Sequence, residues 1–92
     1  MQISKELFDT FVITFRDYVQ QFGLHDWRVE IIQTPVTETP VEYCMDIRRR
    51  YCLLKVATEL DYDVTAEDMK RLAFHEICEL LVADLEMLVN YE

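Results

Sequence analysis

Residues 74–81 read FHEICELL and lie in the longest helical pattern of the chain, which we predict over residues 66–89. Thr65, followed three residues later by Asp68, forms a capping-box signature that marks the start of this helix. A helix with one apolar arc needs a sheet or a second helix to cover that arc. The predicted arc consists of Met69, Ala73, Ile77, Leu80, Leu81 and Leu88, widened by Phe74, Cys78 and Leu85.

Two acidic residues interrupt this pattern, because helical phase places Glu76 and Asp84 close to the apolar arc. A buried carboxylate is costly unless it is paired or binds a metal ion. Glu76 is therefore a candidate for a role beyond that of a surface acid.

The N-terminal part of the chain predicts a second helix, over residues 4–22. Its apolar residues recur at helical spacing and form one stripe. Ser4 is a favoured N-cap residue, and Gly23 stands where a C-cap glycine is expected.

Between the two helices, alternating or continuous apolar runs predict three strands. A segment with two prolines separates the first strand from the second and predicts a loop. We expect an α+β fold with an N-terminal helix, a three-stranded sheet and a long C-terminal helix, all in a single domain over residues 1–92. Both helices are expected on one face of a sheet with strands at 27–33, 41–47 and 51–57.

The composition restricts the partners of this chain. Eighteen acidic and nine basic residues give a net charge of −9, which opposes binding to nucleic acid or to an anionic membrane. A protein partner with a basic surface is compatible with this charge. The N-terminus does not resemble a secretory signal, and no apolar run approaches the length of a membrane span, so we expect a cytoplasmic protein.

Three cysteines, an odd number, are expected to be reduced in that compartment. If the turn between the second and third strands centres near Arg48, Cys44 and Cys52 lie opposite each other as two small buried thiols. No C-x-x-C pair is present, which argues against a cysteine-based structural zinc site.

The chemistry-bearing residues of the chain fall within the stretch at 74–81. His75 and Glu79 are four residues apart on the predicted helix, so both can point at one ion. Glu76 then projects beside them, where a metal-bound water would sit. The pattern is that of H-E-x-x-H, in which two histidines hold zinc and the glutamate is the general base, with Glu79 in place of the second histidine.

The order of elements resembles that of the minimal zincin-like metallopeptidases of phages and prophages, which are related to SprT-like domains. The resemblance covers nearly the whole chain and is specific only in the last helix, whose LAFHEICELL is similar to the family form A-x-H-E-h-x-H-h-h (h apolar). The family's Arg-x-Ala-x-Ile segment corresponds to RYCLL. The matching segments are residues 22–24, 27–29, 50–54 and 72–81.

Two departures from the family bear on metal binding. Glu79 replaces a histidine, and a carboxylate changes the charge of the site and shifts its preference toward Mn²⁺ or Mg²⁺. The family's third ligand usually follows the helix. Glu86 lies about 10 Å along the helix axis from Glu79 and cannot share one ion with it. The sequence leaves His25, Asp26 and Asp46 open as third ligands.

Three functions follow as hypotheses. The resemblance implies a degenerate zincin-like protein that has lost or weakened its peptidase activity, carries no zinc or substoichiometric zinc, and acts by binding another protein as a phage or prophage accessory factor. The first alternative is an active zinc metallopeptidase with His75 and Glu79 as ligands and Glu76 as the base. The second is an acidic inhibitor that imitates nucleic acid.

Overall fold

The computed structural model describes residues 1–35 and 39–90 and has the predicted α+β arrangement. Each predicted helix or strand boundary lies within one residue of the observed one. The loop predicted from the two prolines, over residues 34–40, lies partly outside the described residues. The elements in chain order are α1 (Lys5–Gln21), β1 (Arg28–Thr34), β2 (Val41–Asp46), β3 (Tyr51–Ala57) and α2 (Ala66–Asn90).

Local side-chain chemistry sets the helix ends. The Ser4 hydroxyl accepts a hydrogen bond from the backbone N–H of Leu7 at 3.2 Å and caps α1. Gly23 follows α1 with φ of 67°, a left-handed conformation that suits glycine. At the start of α2, the Thr65 hydroxyl accepts from the Asp68 N–H at 3.3 Å while the Asp68 carboxylate accepts from the Thr65 N–H at 2.8 Å. Both predicted caps and the capping box are therefore confirmed.

The sheet has the order β1-β3-β2, with β3 in the centre. β1 runs parallel to β3, and β2 runs antiparallel to it. Side chains alternate between two faces along each strand, and directly paired residues share a face. On β3, Cys52, Leu54 and Val56 are at most 2% exposed and face the helices.

Both helices cover this same face of the sheet, as predicted. The face opposite, which we call the open face, carries residues such as Ile32 and Cys44. None of the described helices combines the length and apolarity that a membrane crossing requires. The buried core includes Phe11, Phe15 and Val19 of α1, Cys52, Leu54 and Val56 of β3, and Met69, Ala73, Ile77 and Leu80 of α2.

The predicted apolar arc of α2 is wrong in part. Leu88 was expected on the core side, and Phe74 and Leu85 were expected to widen it, but these three side chains are 59%, 49% and 52% exposed. The buried arc instead includes Glu76 and Ala83. Apolar residues cover two arcs of this helix, and only one of them faces the sheet.

The expected pairing of Cys44 with Cys52 is also wrong. The turn spans four residues, Ile47 to Arg50, so its centre falls between Arg48 and Arg49 and Cys44 pairs with Leu53. A shift of one residue moves a side chain to the other face of a sheet. Cys44 is therefore exposed on the open face, whereas Cys52 lies in the core.

A polar cluster ties α2 to two loops and explains why Asp84 lies near the apolar arc. The Trp27 indole N–H donates to Asp84 Oδ1 at 2.9 Å, and the Arg50 guanidinium donates to the same oxygen at 3.4 Å. Arg50 also pairs with Asp26. The carboxylate of Asp84 thus has partners that offset the cost of its burial.

The two strand thiols are predicted to differ in reactivity. Burial, with the carboxyl of Glu76 nearby, raises the pKa of Cys52 to about 12, and this side chain is 0% exposed. Because the thiolate is the reactive form, a disulfide reagent should modify Cys44 rapidly in the native protein and Cys52 only on unfolding. Stopped-flow thiol titration checks this in a Cys78→Ser background, because the half-buried thiol of Cys78 would add a phase of its own. In that background Cys44→Ser should lack the fast phase, and a fast phase that persists there contradicts the assignment.

Removal of the Asp84 carboxylate is predicted to destabilise the fold. In Asp84→Ala the indole N–H of Trp27, which is 4% exposed, loses its acceptor, at a cost of about 1–3 kcal/mol. Urea unfolding followed by tryptophan fluorescence measures the change. The control is Asp9→Ala, which removes an exposed ion pair with Lys5 and should cost about 0–1 kcal/mol. Equal costs for the two variants would show that the Asp84 contacts contribute little.

Candidate functional site

His75 and Glu79 form a pair on the exposed side of α2. Their spacing of four residues brings His75 Nε2 within 3.9 Å of Glu79 Oε1. The two side chains are 68% and 42% exposed, so solvent reaches both. The predicted proximity of these two candidate ligands is confirmed, and together they offer one imidazole nitrogen and one carboxylate to an ion.

Glu76 points away from this pair into the core. Its side chain is 5% exposed, and its Oε2 is buried without a hydrogen-bond partner among the described residues. Burial raises the pKa of Glu76 to about 7, the nearby His75 opposes the shift, and the negative charge of Glu79 adds to it. The carboxyl therefore titrates near neutral pH.

The helix-facing side of the sheet provides the surroundings of Glu76. Its carboxylate contributes to the raised pKa values of Cys52 and of Tyr43, which places it near β3 and near the edge strand β2. Cys52 is a buried thiol and Tyr43 is 45% exposed. Glu76 thus lies near a fully buried thiol on one strand and near a partly exposed phenol on the edge strand.

Tyr43 is a site residue that the sequence did not reveal. Its phenol donates to Glu79 Oε2 at 3.4 Å and links β2 to α2. The negative charge of Glu79, followed by burial, raises the pKa of Tyr43. The signal in the sequence was the alternation Val41, Tyr43, Met45, which marks the helix-facing side of β2. It could not show which helix residue the phenol meets.

The other proposed ligands do not join the His75–Glu79 pair. Asp26 pairs with Arg50, and Asp46 pairs with Arg49 at 3.6 Å. His25 is exposed in the segment between α1 and β1. Within residues 1–35 and 39–90, no group of three or more His, Cys, Asp or Glu side chains is arranged to hold a metal ion. The described residues therefore supply two candidate ligands, whereas a catalytic zinc takes three.

Comparisons with protein-family models, with curated proteins and with solved structures gave no match to this chain. The resemblance to zincin-like metallopeptidases therefore stays a prediction that rests on residues 72–81 and on the order of the elements.

The pKa of Glu76 predicts how stability depends on pH. A carboxyl group whose pKa is higher in the folded state stabilises that state fully below its unfolded value, near 4.5, and this contribution is lost as pH rises through about 7. In Glu76→Gln the group does not titrate. Between about pH 4 and about pH 8, the free energy of unfolding of the wild type should fall relative to this variant by about 3 kcal/mol.

Urea unfolding of both proteins across this pH range measures that difference. The readout is its dependence on pH, since a buried amide adds a cost that does not change with pH. The matched control is Glu6→Gln in the exposed first turn of α1, whose difference from the wild type should change with pH by much less than that of Glu76→Gln. If the free energies of unfolding of the wild type and Glu76→Gln differed by the same amount at every pH, the Glu76 carboxyl would be in contact with solvent.

Proposed function

We propose that this chain is a degenerate zincin-like protein that lacks general peptidase activity and acts by binding another protein. The observation that carries the proposal is the position of Glu76. A general base must reach the proton that it removes, directly or through one water. The Glu76 side chain is 5% exposed and lies on the buried arc of α2, whereas the His75–Glu79 pair lies at the surface.

The charge of the chain supports a partner with a basic surface. A net charge of −9 favours encounter with positively charged proteins and opposes encounter with nucleic acid. Its place as a phage or prophage accessory factor in the host cytoplasm is part of the same proposal and rests on the family resemblance. Association with the partner should slow as salt rises.

An active metallopeptidase is the second candidate, and one observation favours it. The pKa of Glu76 lies at about 7, which suits a general base at neutral pH. In this alternative His75 and Glu79 bind the metal. Because Glu76 is buried, its carboxyl would contact a water molecule only after the structure around it opens. The two candidates differ in whether the protein hydrolyses peptide bonds.

Zinc content and casein hydrolysis, measured on the same preparations, test the proposal. The wild type is expected to carry substoichiometric zinc after dialysis against zinc and to leave labelled casein intact. Glu79→His restores the family ligand beside His75 and should raise the zinc content measured by mass spectrometry. Glu86→His makes the same change at an exposed position one heptad further on and should not raise it.

Hydrolysis of casein by the wild type would overturn the proposal if Glu76→Gln abolished it while the zinc content was unchanged. A zinc content near one per chain in the wild type, lost in His75→Ala, would also favour the metallopeptidase. If Glu79→His and Glu86→His behave alike, the ligand geometry of the family is absent, and the resemblance at residues 72–81 reflects helix packing alone.

A further inference from the structure

A second apolar stripe follows α2 outside its buried arc and meets α1 at Phe74. We call it the α2 stripe, and its members are spaced alternately by four and three residues. That spacing keeps side chains on one helix face, as in the seam of a coiled coil. Phe74, Leu85 and Leu88 are 49%, 52% and 59% exposed. The α2 stripe consists of Phe74, Cys78, Leu81, Leu85 and Leu88, of which Cys78 and Leu81 are half-buried and Leu81 also packs against the core.

Further exposed apolar side chains lie beside the stripe. Val82 and Val89, 51% and 74% exposed, widen it along α2. Toward α1, the ring of Tyr18 meets that of Phe74 edge-on at 5.6 Å and stacks on that of Phe22 at 5.8 Å. Continuous apolar patches of more than a few hundred Å² mark interaction sites on soluble proteins.

The stripe has an acidic border. Beyond Val82 and Val89, Glu79 and Glu86 lie seven residues apart on the side of α2 toward β2, where Glu79 also accepts from Tyr43. From Leu72 to the end of α2 the sequence contains no lysine or arginine. The two basic residues of α2 are at its start, where Lys70 pairs with Glu67 at 3.3 Å and Arg71 pairs with Asp68 at 3.7 Å.

We propose that the α2 stripe is the docking site for a basic amphipathic helix of another protein. The apolar face of that helix would cover the leucines of the stripe, and its lysines or arginines would meet Glu79 and Glu86. The inference rests on the proposed function, because it names the surface and the chemistry of the partner.

Charge complementarity selects this occupant over a second copy of the chain. Two copies of the chain would each bring a net charge of −9 and the same acidic residues to the interface. The lysine and arginine of α2 are already paired with acids in the first turn of the same helix. Like charges brought together at an interface cost free energy, and opposite charges speed association. The stripe extends over the fifteen residues from Phe74 to Leu88, about 21 Å along the helix axis, which matches a partner helix of about four turns.

Fluorescence anisotropy with two labelled model peptides tests this inference. Both peptides are amphipathic helices with the same leucine positions, and the polar positions are lysine in one and glutamate in the other. The lysine peptide is expected to bind and the glutamate peptide is not. The double variant Leu85→Ala with Leu88→Ala should weaken binding at least roughly tenfold, since truncation of central apolar contacts typically has this effect.

Two further variants test whether binding is specific to the stripe or reflects nonspecific hydrophobic association or misfolding. Ile32→Ala removes an apolar side chain, 44% exposed, from the open face of the sheet and should leave the affinity unchanged. Glu79→Gln with Glu86→Gln keeps the apolar surface intact and should weaken binding and reduce its salt dependence. Circular dichroism confirms that each variant is folded.

Equal binding of the two peptides, or unchanged binding by the leucine double variant, would overturn the inference. The inference would also be overturned if light scattering showed that the wild type is a dimer and the leucine double variant a monomer. A second copy of the chain would then occupy the stripe. None of these results bears on casein hydrolysis. An active peptidase would therefore remove the proposed function, whereas a failed peptide test removes only the assigned surface.

Discussion

The burial of the central strand β3 against the two helices is the contact on which the rest of the structure depends. Cys52, Leu54 and Val56 lie in the core, and α2 covers them with its own buried arc. Fully burying one large apolar side chain contributes roughly 1.5–3 kcal/mol, so this interface fixes the rotation of α2 about its axis. That rotation in turn decides which α2 residues meet the sheet and which meet solvent.

The rotation of α2 divides the H-E-x-x-E motif between two environments. His75 and Glu79 stay at the surface, where they pair, and Glu76 enters the core. A buried carboxyl without a partner for one oxygen lowers stability at neutral pH, in contrast to Asp84, whose carboxylate meets Trp27 and Arg50. The fold therefore accommodates two inward acids on α2 in different ways. Glu76 can take up a proton near neutral pH, and Asp84 is paired with Trp27 and Arg50.

The elements and their ends could be predicted from the sequence, because caps and periodicity are local. Ser4, Gly23 and the pair Thr65–Asp68 each act on neighbouring residues, and the structure confirms all of them. The exposure of Leu85 and the separation of Cys44 from Cys52 could not be predicted, since they depend on long-range packing and on the length of one turn. For the same reason the proximity of His75 and Glu79, four residues apart, was predictable, but the inward position of Glu76 and the contact with Tyr43 were not.

The parallel pairing of β1 with β3 also sets an order of assembly. β2 and β3 are joined by a four-residue turn, so their antiparallel ladder closes a short loop. The β1–β3 ladder instead joins residues 23 positions apart, as in Arg28 with Tyr51, and it uses the opposite edge of β3 from β2. Closing a longer loop costs more chain entropy before contacts compensate for it. The hairpin is thus the natural nucleus of the sheet, and β1, carried by α1, joins it late.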